Sequence, residues 1–547
     1  MALNRNTAPA DEGVFDYIVT GAGSAGCVLA ARLSESGRHS VLLLEAGGRD
    51  TNPWIHIPMG QAKLFSEPNV NWMYESEPEP ELGGRTSFQP RGKVLGGTSA
   101  INGMIYIRGN PADYDEWRQR GCLGWDYDSV LPFFKKSEDQ ERGADDFHGT
   151  GGPLGVSDQP IKWELAQAVI AAGVEAGLQL NEDFNGKHQD GVGYFQTTTK
   201  NRRRHSSAVA FLKPARGRPN LRVQTKALAT RIVIENGRAV GVEFQTGRGR
   251  HLARARGEVI VAGGAFNSPH LLQLSGLGPG ELLQRTGVAV VRDMPGVGDN
   301  LLDHFYVRNV FRCPKPITLN DYARSWPRKI KSAFQYAFFR SGVLSGHGLY
   351  CGAFARSDLR LDRPDIQINL NAGSTLGRTR SGLVTHPFSG FSLNAIHLRP
   401  DSRGTVRLKS PDPATHPEIR FNFLKTQNDI RAMTIAQRLV RKIAQQPALA
   451  PYVVEEFVPG LKVQTDAQFE ADIRERGVSN LHPVGSCRMG VGTDAVVDPR
   501  LRVHGVGNLR VVDASIMPTI VAGNTNAPVI MIAEKASAMI LEDARVA

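Results

Sequence analysis

At 547 residues the chain exceeds what one hydrophobic core normally supports, so two structural regions are expected rather than one. Hydrophobic residues make up 41% and charged residues 22%, a balance that excludes a disordered chain, and no run of about 18 apolar residues could span a membrane. The net charge of +11 has basic clusters at 202–204, 248–256 and 324–331, but only Trp326 is interleaved for stacking and no nucleic-acid motif accompanies them, so they read as solvated loops favouring anionic partners or lipid headgroups.

The cysteines, Cys27, Cys122, Cys313, Cys351 and Cys487, form no CxxC pair, which fits free thiols and gives no metal site or disulfide framework. Residues 1–13 are polar and lack the charged-then-apolar pattern of a signal peptide. The expected location is cytoplasmic, with contact to a membrane surface left open.

The first element is a short strand at 15–20, mostly β-branched and aromatic. It runs into Gly21-Ala22-Gly23-Ser24-Ala25-Gly26, then an Ala/Leu-rich helix at 27–33, then a strand at 40–44 ending on Glu45. This order is that of a dinucleotide cradle. Gly21 permits the tight turn, Gly23 lets a pyrophosphate approach the backbone, and Gly26 lets helix pack on strand. The phosphates then meet free N–H groups and the positive end of the helix dipole. Glu45 is placed to accept from ribose hydroxyls and to repel a 2′-phosphate.

A second glycine-rich element follows at 91–102, with Gly92, Gly96, Gly97 and Thr98 around a single Asn102. An ordinary surface turn would account for it, but so many small residues suit a backbone passing under a flat ligand. A third, Gly264 to Gly278, follows a strand at 259–262. Strands at 406–408 and 419–423 precede an amphipathic helix at 428–443. Near the end come a strand at 509–512, then Asp513-Ala514-Ser515, and then Gly523-Asn524-Thr525-Asn526-Ala527-Pro528 opening an apolar helix.

At these residues the chain resembles the glucose-methanol-choline (GMC) oxidoreductases over nearly its whole length. Residues 92–102 and 264–278 resemble the family's two signatures, and 295–304 and 481–485 are also typical. The resemblance is nearest to the bacterial FAD-linked alcohol, sorbose and choline dehydrogenases. It implies an α/β plus α+β architecture: a Rossmann-like FAD-binding domain from 1–155, 211–308 and 476–547, interleaved with an antiparallel-sheet substrate domain from 156–210 and 309–475. It also implies that FAD is held by Gly21, Gly23, Ser24, Ala25, Gly26, Glu45, Ala46, Trp72, Arg91, Gly97, Thr98, Asn102, Gly103, Met104, Ala229, Asp513, Ala514, Asn524 and Thr525. Some choline-oxidising relatives attach FAD through a His inside the first signature; Ile101 stands there, so the cofactor is expected to be non-covalent.

The implied reaction is oxidation of a primary alcohol to an aldehyde. It needs a base, neutral at working pH, for the hydroxyl proton, and histidine suits that role. By resemblance His482 is the base, and Asn526 orients the substrate oxygen, although an Asn at that point also makes an ordinary helix cap. Asp303 and His304 read as structural. The electron acceptor, whether oxygen, quinone or dye, leaves no mark in the sequence. A choline site would want an aromatic cage and a carboxylate. Phe305, Tyr306, Tyr350 and Phe354 fall in the substrate region without defining one. A lyase that uses FAD structurally is the other enzyme the same scaffold allows.

Overall fold

The computed structural model describes residues 9–546, and two seven-stranded sheets organise them. Residues 1–8 of the polar N-terminal stretch lie outside the described part of the chain.

The first sheet is built on Ala10–Thr20 and Val41–Glu45. Val41 to Leu44 are all buried and apolar, as expected for a parallel strand covered on both faces. Across the sheet the order is Leu221–Thr225, Val41–Glu45, Ala10–Thr20, Gly249–Val261, Arg238–Thr246 and Leu228–Glu235, and Leu509–Val511 also joins Gly249–Val261. The pairs around Ala10–Thr20 are parallel, whereas Arg238–Thr246 pairs antiparallel on both sides. Two strands are longer than the sequence suggested. Ala10 pairs with His251 and Asp11 with Leu252, extending the sheet beyond its apolar centre into polar sequence that carries no hydrophobic signal.

The turn after the first strand requires glycine. Gly21 has φ +101°, and a Cβ there would lie 2.4 Å from the Ala262 carbonyl oxygen. A Cβ on Gly26 would lie 1.8 Å from the Gly21 oxygen, so the helix Ser24–Leu33 packs this closely only without one. The last helix, Asn526–Val546, lies along Ser24–Leu33, and Arg32 grips the buried Glu534 from two nitrogens, at 2.7 Å for the shortest contact. That contact carries the residues just ahead of the last helix to the glycine turn.

The second sheet runs Glu455–Val458, Phe305–Arg312, Gly390–His397, Ile366–Asn371, Leu349–Ala355 and Gly191–Tyr194, every pair antiparallel, with Val478–Ser479 also on Phe305–Arg312. Its alternation is regular. Phe305, Val307 and Phe311, with Leu393, Ala395, Ile366, Ile368 and Leu370, form one core with the helix Gln427–Ala444, which presents Ile430, Met433, Ala436, Val440 and Ile443. The opposite face carries Tyr306, Arg308, Asn369, Asn371 and Asn394 toward an interior cavity. Phe305–Arg312 and Val478–Ser479 belong to this sheet. The boundaries expected at 308 and 476 thus fall within and beside strands of this sheet, Phe305–Arg312 and Val478–Ser479.

Candidate active site

A cavity of about 960 Å³ runs between the two sheets, from Glu45 and the glycine turn, past His482, to a mouth at Trp326 and Lys329. Gly21, Gly23, Ser24, Ala25, Glu45, Ala46, Trp72, Arg91, Gly97, Thr98, Asn102, Gly103, Met104, Ala229, Asp513, Ala514, Asn524, Thr525 and Asn526 all line it. Gly26 does not; it serves the turn by packing.

The deep end suits a dinucleotide. Gly23 caps the helix Ser24–Leu33 without a side-chain acceptor, leaving the first-turn N–H groups free for phosphate, and a Cβ at Gly23 would meet nothing but open space. Glu45 closes the far side. Its oxygens accept from the backbone N–H groups of Ala22 at 2.9 Å and Gly47 at 2.8 Å, while burial pushes its pKa up to about 7. The first signature is tied to the turn by the Gly96 N–H, which donates to the Ala22 carbonyl at 2.8 Å. Asn102 accepts from the Met104 N–H at 3.1 Å and from the buried Arg204 at 2.9 Å, which fixes the loop in which Met104 has φ 60°. Asp513 has no ion-pair partner among the described residues. It accepts from the Gly264 N–H at 2.8 Å, the Ser268 hydroxyl at 2.5 Å and the Ser515 N–H at 2.8 Å, joining the second signature to the C-terminal segment.

His482 stands where the dinucleotide end meets the polar sheet face. Leu481 before it has φ 67°, a left-handed conformation that costs a non-glycine residue about 1 kcal/mol or more. The segment is clamped against that strain. Arg91 donates to the Leu481 carbonyl at 2.7 Å, the Leu481 N–H to Ser479 at 3.0 Å, and the His482 N–H to Asp303 at 2.7 Å. Asp303 also accepts from the Ser479 hydroxyl, and burial raises its pKa to about 6. The His482 ring has three polar neighbours: its Nε2 lies 3.1 Å from the Asn524 amide nitrogen, and its Nδ1 lies 3.1 Å from His304 Nδ1 and 3.3 Å from the Asn480 amide. Burial, and then the Arg91 charge, lower the His482 pKa to about 3. Burial and the His482 neighbour hold His304 well below the ordinary histidine value.

Two sequence expectations meet the geometry here. The amide beside the His482 ring belongs to Asn524, not Asn526, whose Oδ1 accepts from the Ser24 hydroxyl at 2.7 Å. The spacing Asn-Thr-Asn at a helix start offers two candidates, and only the packing of the last helix decides which faces the ring. Asp303 and His304, read as structural from the sequence, both contact His482: Asp303 accepts from its backbone N–H and His304 meets its ring. Asn480, Tyr306, Arg308, Asn369 and Asn394 went unnoticed as site residues, apart from Tyr306 as an aromatic. The alternation of the strand after Asp303-His304 was the available signal, because residues 306 and 308 share one face.

A dinucleotide cradle facing an antiparallel sheet, with a neutral histidine between them, defines a flavoprotein oxidoreductase that acts on CH–OH groups, with FAD as its cofactor. Family models confirm the class: residues 15–306 match the N-terminal and 400–533 the C-terminal region of the GMC oxidoreductases, and the chain belongs to that family. It is 43% identical to an alcohol dehydrogenase [acceptor] of Pseudomonas putida, over 96% of each chain. It is 44% identical to an oxygen-dependent choline dehydrogenase of Sinorhizobium fredii, over 96% of this chain and 95% of that one. Among solved structures, pyridoxine 4-oxidase from Mesorbium loti matches with a TM-score of 0.87 at 32% identity, over 96% and 98% of the two chains. A formate oxidase variant from Aspergillus oryzae matches at 0.92 with 27% identity, over 98% and 99%. No helix among the described residues is long and apolar enough to cross a membrane.

Proposed function

We propose that the protein oxidises an uncharged or anionic primary alcohol to an aldehyde, with His482 as general base and Asn524 as the group that holds the substrate oxygen. The observation that carries this is the His482–Asn524 contact at the cavity wall, 3.1 Å from ring nitrogen to amide. Bound FAD supplies the acceptor for the hydride that leaves the carbinol carbon. The chain supplies the rest. A ring held neutral by burial keeps a lone pair for the hydroxyl proton. The mechanism needs that lone pair on Nε2, which places the proton on Nδ1, with His304 Nδ1 at 3.1 Å as its acceptor. The Asn524 amide donates to the same oxygen as it develops charge, without competing for its proton.

FAD is held non-covalently in this reading, since Ile101 is aliphatic and buried where a linking side chain would stand. The choline dehydrogenase relatives raise choline as the alternative. Against it stands the charge of the cavity. Glu45 and Asp513 are the carboxylates among its described lining residues, both engaged by backbone N–H groups at the dinucleotide end. On the polar sheet face the charged group is Arg308, which donates to Tyr306 at 2.5 Å and is paired with no carboxylate among the described residues. A cation beside the substrate disfavours a quaternary ammonium.

The deciding experiment is anaerobic alcohol titration of the visible flavin band in wild type and His482→Ala. Wild type should bleach with neutral primary alcohols and scarcely with choline. The variant should retain its yellow colour and lose about two to four orders of magnitude in reduction rate. Loss of FAD along with activity would make His482 structural. A wild-type flavin that no alcohol bleaches would leave the lyase reading in possession of the site.

A further inference from the structure

The helix Trp326–Phe339 is turned inside out. Ser332 and Tyr336 face the protein, the Tyr336 hydroxyl donating to the Arg202 carbonyl at 3.1 Å. Trp326, Ile330, Phe334 and Phe338 recur every four residues on the solvent side, and with Phe339 they are between 56% and 72% exposed. Phe334 and Phe338 touch each other, ring centroids 4.7 Å apart, and no other element among the described residues covers them. A surface helix of a soluble domain presents the opposite pattern. A contiguous apolar face of this size marks a docking surface.

The charges around it identify the partner. The helix holds Arg328, Lys329 and Lys331 and no acid, Arg340 caps its end, and Arg202 and Arg203 lie beside it on the loop that Tyr336 contacts. None of these six cations has an acidic partner in an ion pair among the described residues; Arg324, just before the helix, is the one neutralised, by Asp321. An apolar stripe with a collar of unpaired cations is the pattern of a helix lying in the headgroup region of an anionic bilayer. A second copy of the chain fits worse, because a twofold contact through this face would set two such collars against each other.

We infer that the helix Trp326–Phe339 is a monotopic docking element, which seats the enzyme on an anionic lipid surface with its apolar residues in the interface and its cations at the headgroups. Trp326 and Lys329 also line the cavity mouth, and the half-exposed Leu383 lines it from the hairpin Thr375–Thr379 and Gly382–Thr385. Docking therefore opens the active-site cavity at the lipid boundary, where an apolar alcohol or a lipid-soluble acceptor concentrates.

The test uses purified holoenzyme and vesicles of phosphatidylcholine with about one-third phosphatidylglycerol. Wild type should sediment with these vesicles, less with pure phosphatidylcholine, and less again in about 1 M salt, where screening removes the electrostatic part. Of the six tryptophans only Trp326 is exposed, so vesicles should blue-shift a part of the emission that Trp326→Phe lacks. The double variant Phe334→Ser, Phe338→Ser should lose about tenfold or more in vesicle affinity while keeping wild-type flavin content and turnover of a soluble alcohol with a dye. Vesicle binding is read without turnover, so its failure is separate from any failure of the proposed reaction. Wild type remaining in the supernatant would overturn the inference. So would a double variant that binds vesicles like wild type, or a wild-type dimer that the variant converts to monomer without vesicle binding.

Discussion

At the scale of single residues, the proposed chemistry depends on which nitrogen of His482 is free, and its polar neighbours bear on that. His304 offers Nδ1 to Nδ1 at 3.1 Å, so only one of the two rings can carry the proton between them. The two asparagines of the helix start then separate into distinct tasks. Asn524 faces the ring, and Asn526 accepts from Ser24 at the start of the helix proposed to receive the pyrophosphate. Asn524→Ala should lower kcat by about tenfold or more with FAD retained, because the lost hydrogen bond strengthens as charge develops on oxygen. Asn526→Ala should leave kcat of the fully loaded enzyme near wild type and weaken FAD retention instead. Flavin content after gel filtration, set beside kcat at saturating FAD, distinguishes the two; equal kcat losses would remove the distinction. The sequence singles out His482 by its motif but could not choose between residues two apart at a helix start, since either is a reasonable cap.

At the scale of elements, the polar face of the antiparallel sheet shapes selectivity. Arg308 pairs in register with Asn394, and Asn394 with Asn369, so one row of polar groups crosses three strands above the cavity. The buried Asn369 Oδ1 is unpartnered, leaving an acceptor turned to whatever enters. Arg308→Glu inverts the charge of that row. At an effective dielectric near 20, one unit charge about 8 Å away is worth roughly 2 kcal/mol, so the ratio of kcat/KM for choline over a neutral primary alcohol should rise about tenfold or more. A ratio unchanged within twofold would place Arg308 out of reach of the substrate. The glycine turn, both flanking strands and the helix Gln427–Ala444 were legible in the sequence because each carries a local period or a required residue. The row of 308, 394 and 369 was not: its members are far apart in the chain, and only strand register brings them together.

At the scale of the whole molecule, burial holds most of the interior histidines in the uncharged form, with His148 between Glu138 and Asp183 the exception, and that sets a limit on the acid side. Burial lowers His270 to about 4, with His416 adding to it, and His347 to about 3, with Arg204 adding to it; His205 and His482 fall to about 4 and about 3. Each folded value lies below the ordinary 6.5, so between 6.5 and the folded value the unfolded chain binds a proton that the folded chain refuses. Their stabilisation is complete above 6.5 and is lost as pH falls toward 3 to 4. Glu45 and Asp303 act in the opposite direction, with folded values near 7 and 6, so they bind protons in the fold sooner than in the unfolded chain. Burial also holds His304, His397 and His416 down, so the histidines outnumber the carboxyls it raises, Glu79 and Asp113 included, and the folded protein should lose stability on acidification from about pH 6.5 to about pH 4.5. His347 is the cleanest probe, being buried and accepting one hydrogen bond, from Gln159 at 2.9 Å, with its Nδ1 unpartnered. His347→Gln should remove up to about 1.4 kcal/mol per pH unit from the slope of unfolding free energy in that window. The measurement is denaturant unfolding of the holoenzyme with FAD in excess, at several pH values for both proteins. A variant with the wild-type slope would mean that His347 takes up its proton in the folded state as readily as in the unfolded one, and that the cavity wall around it admits water.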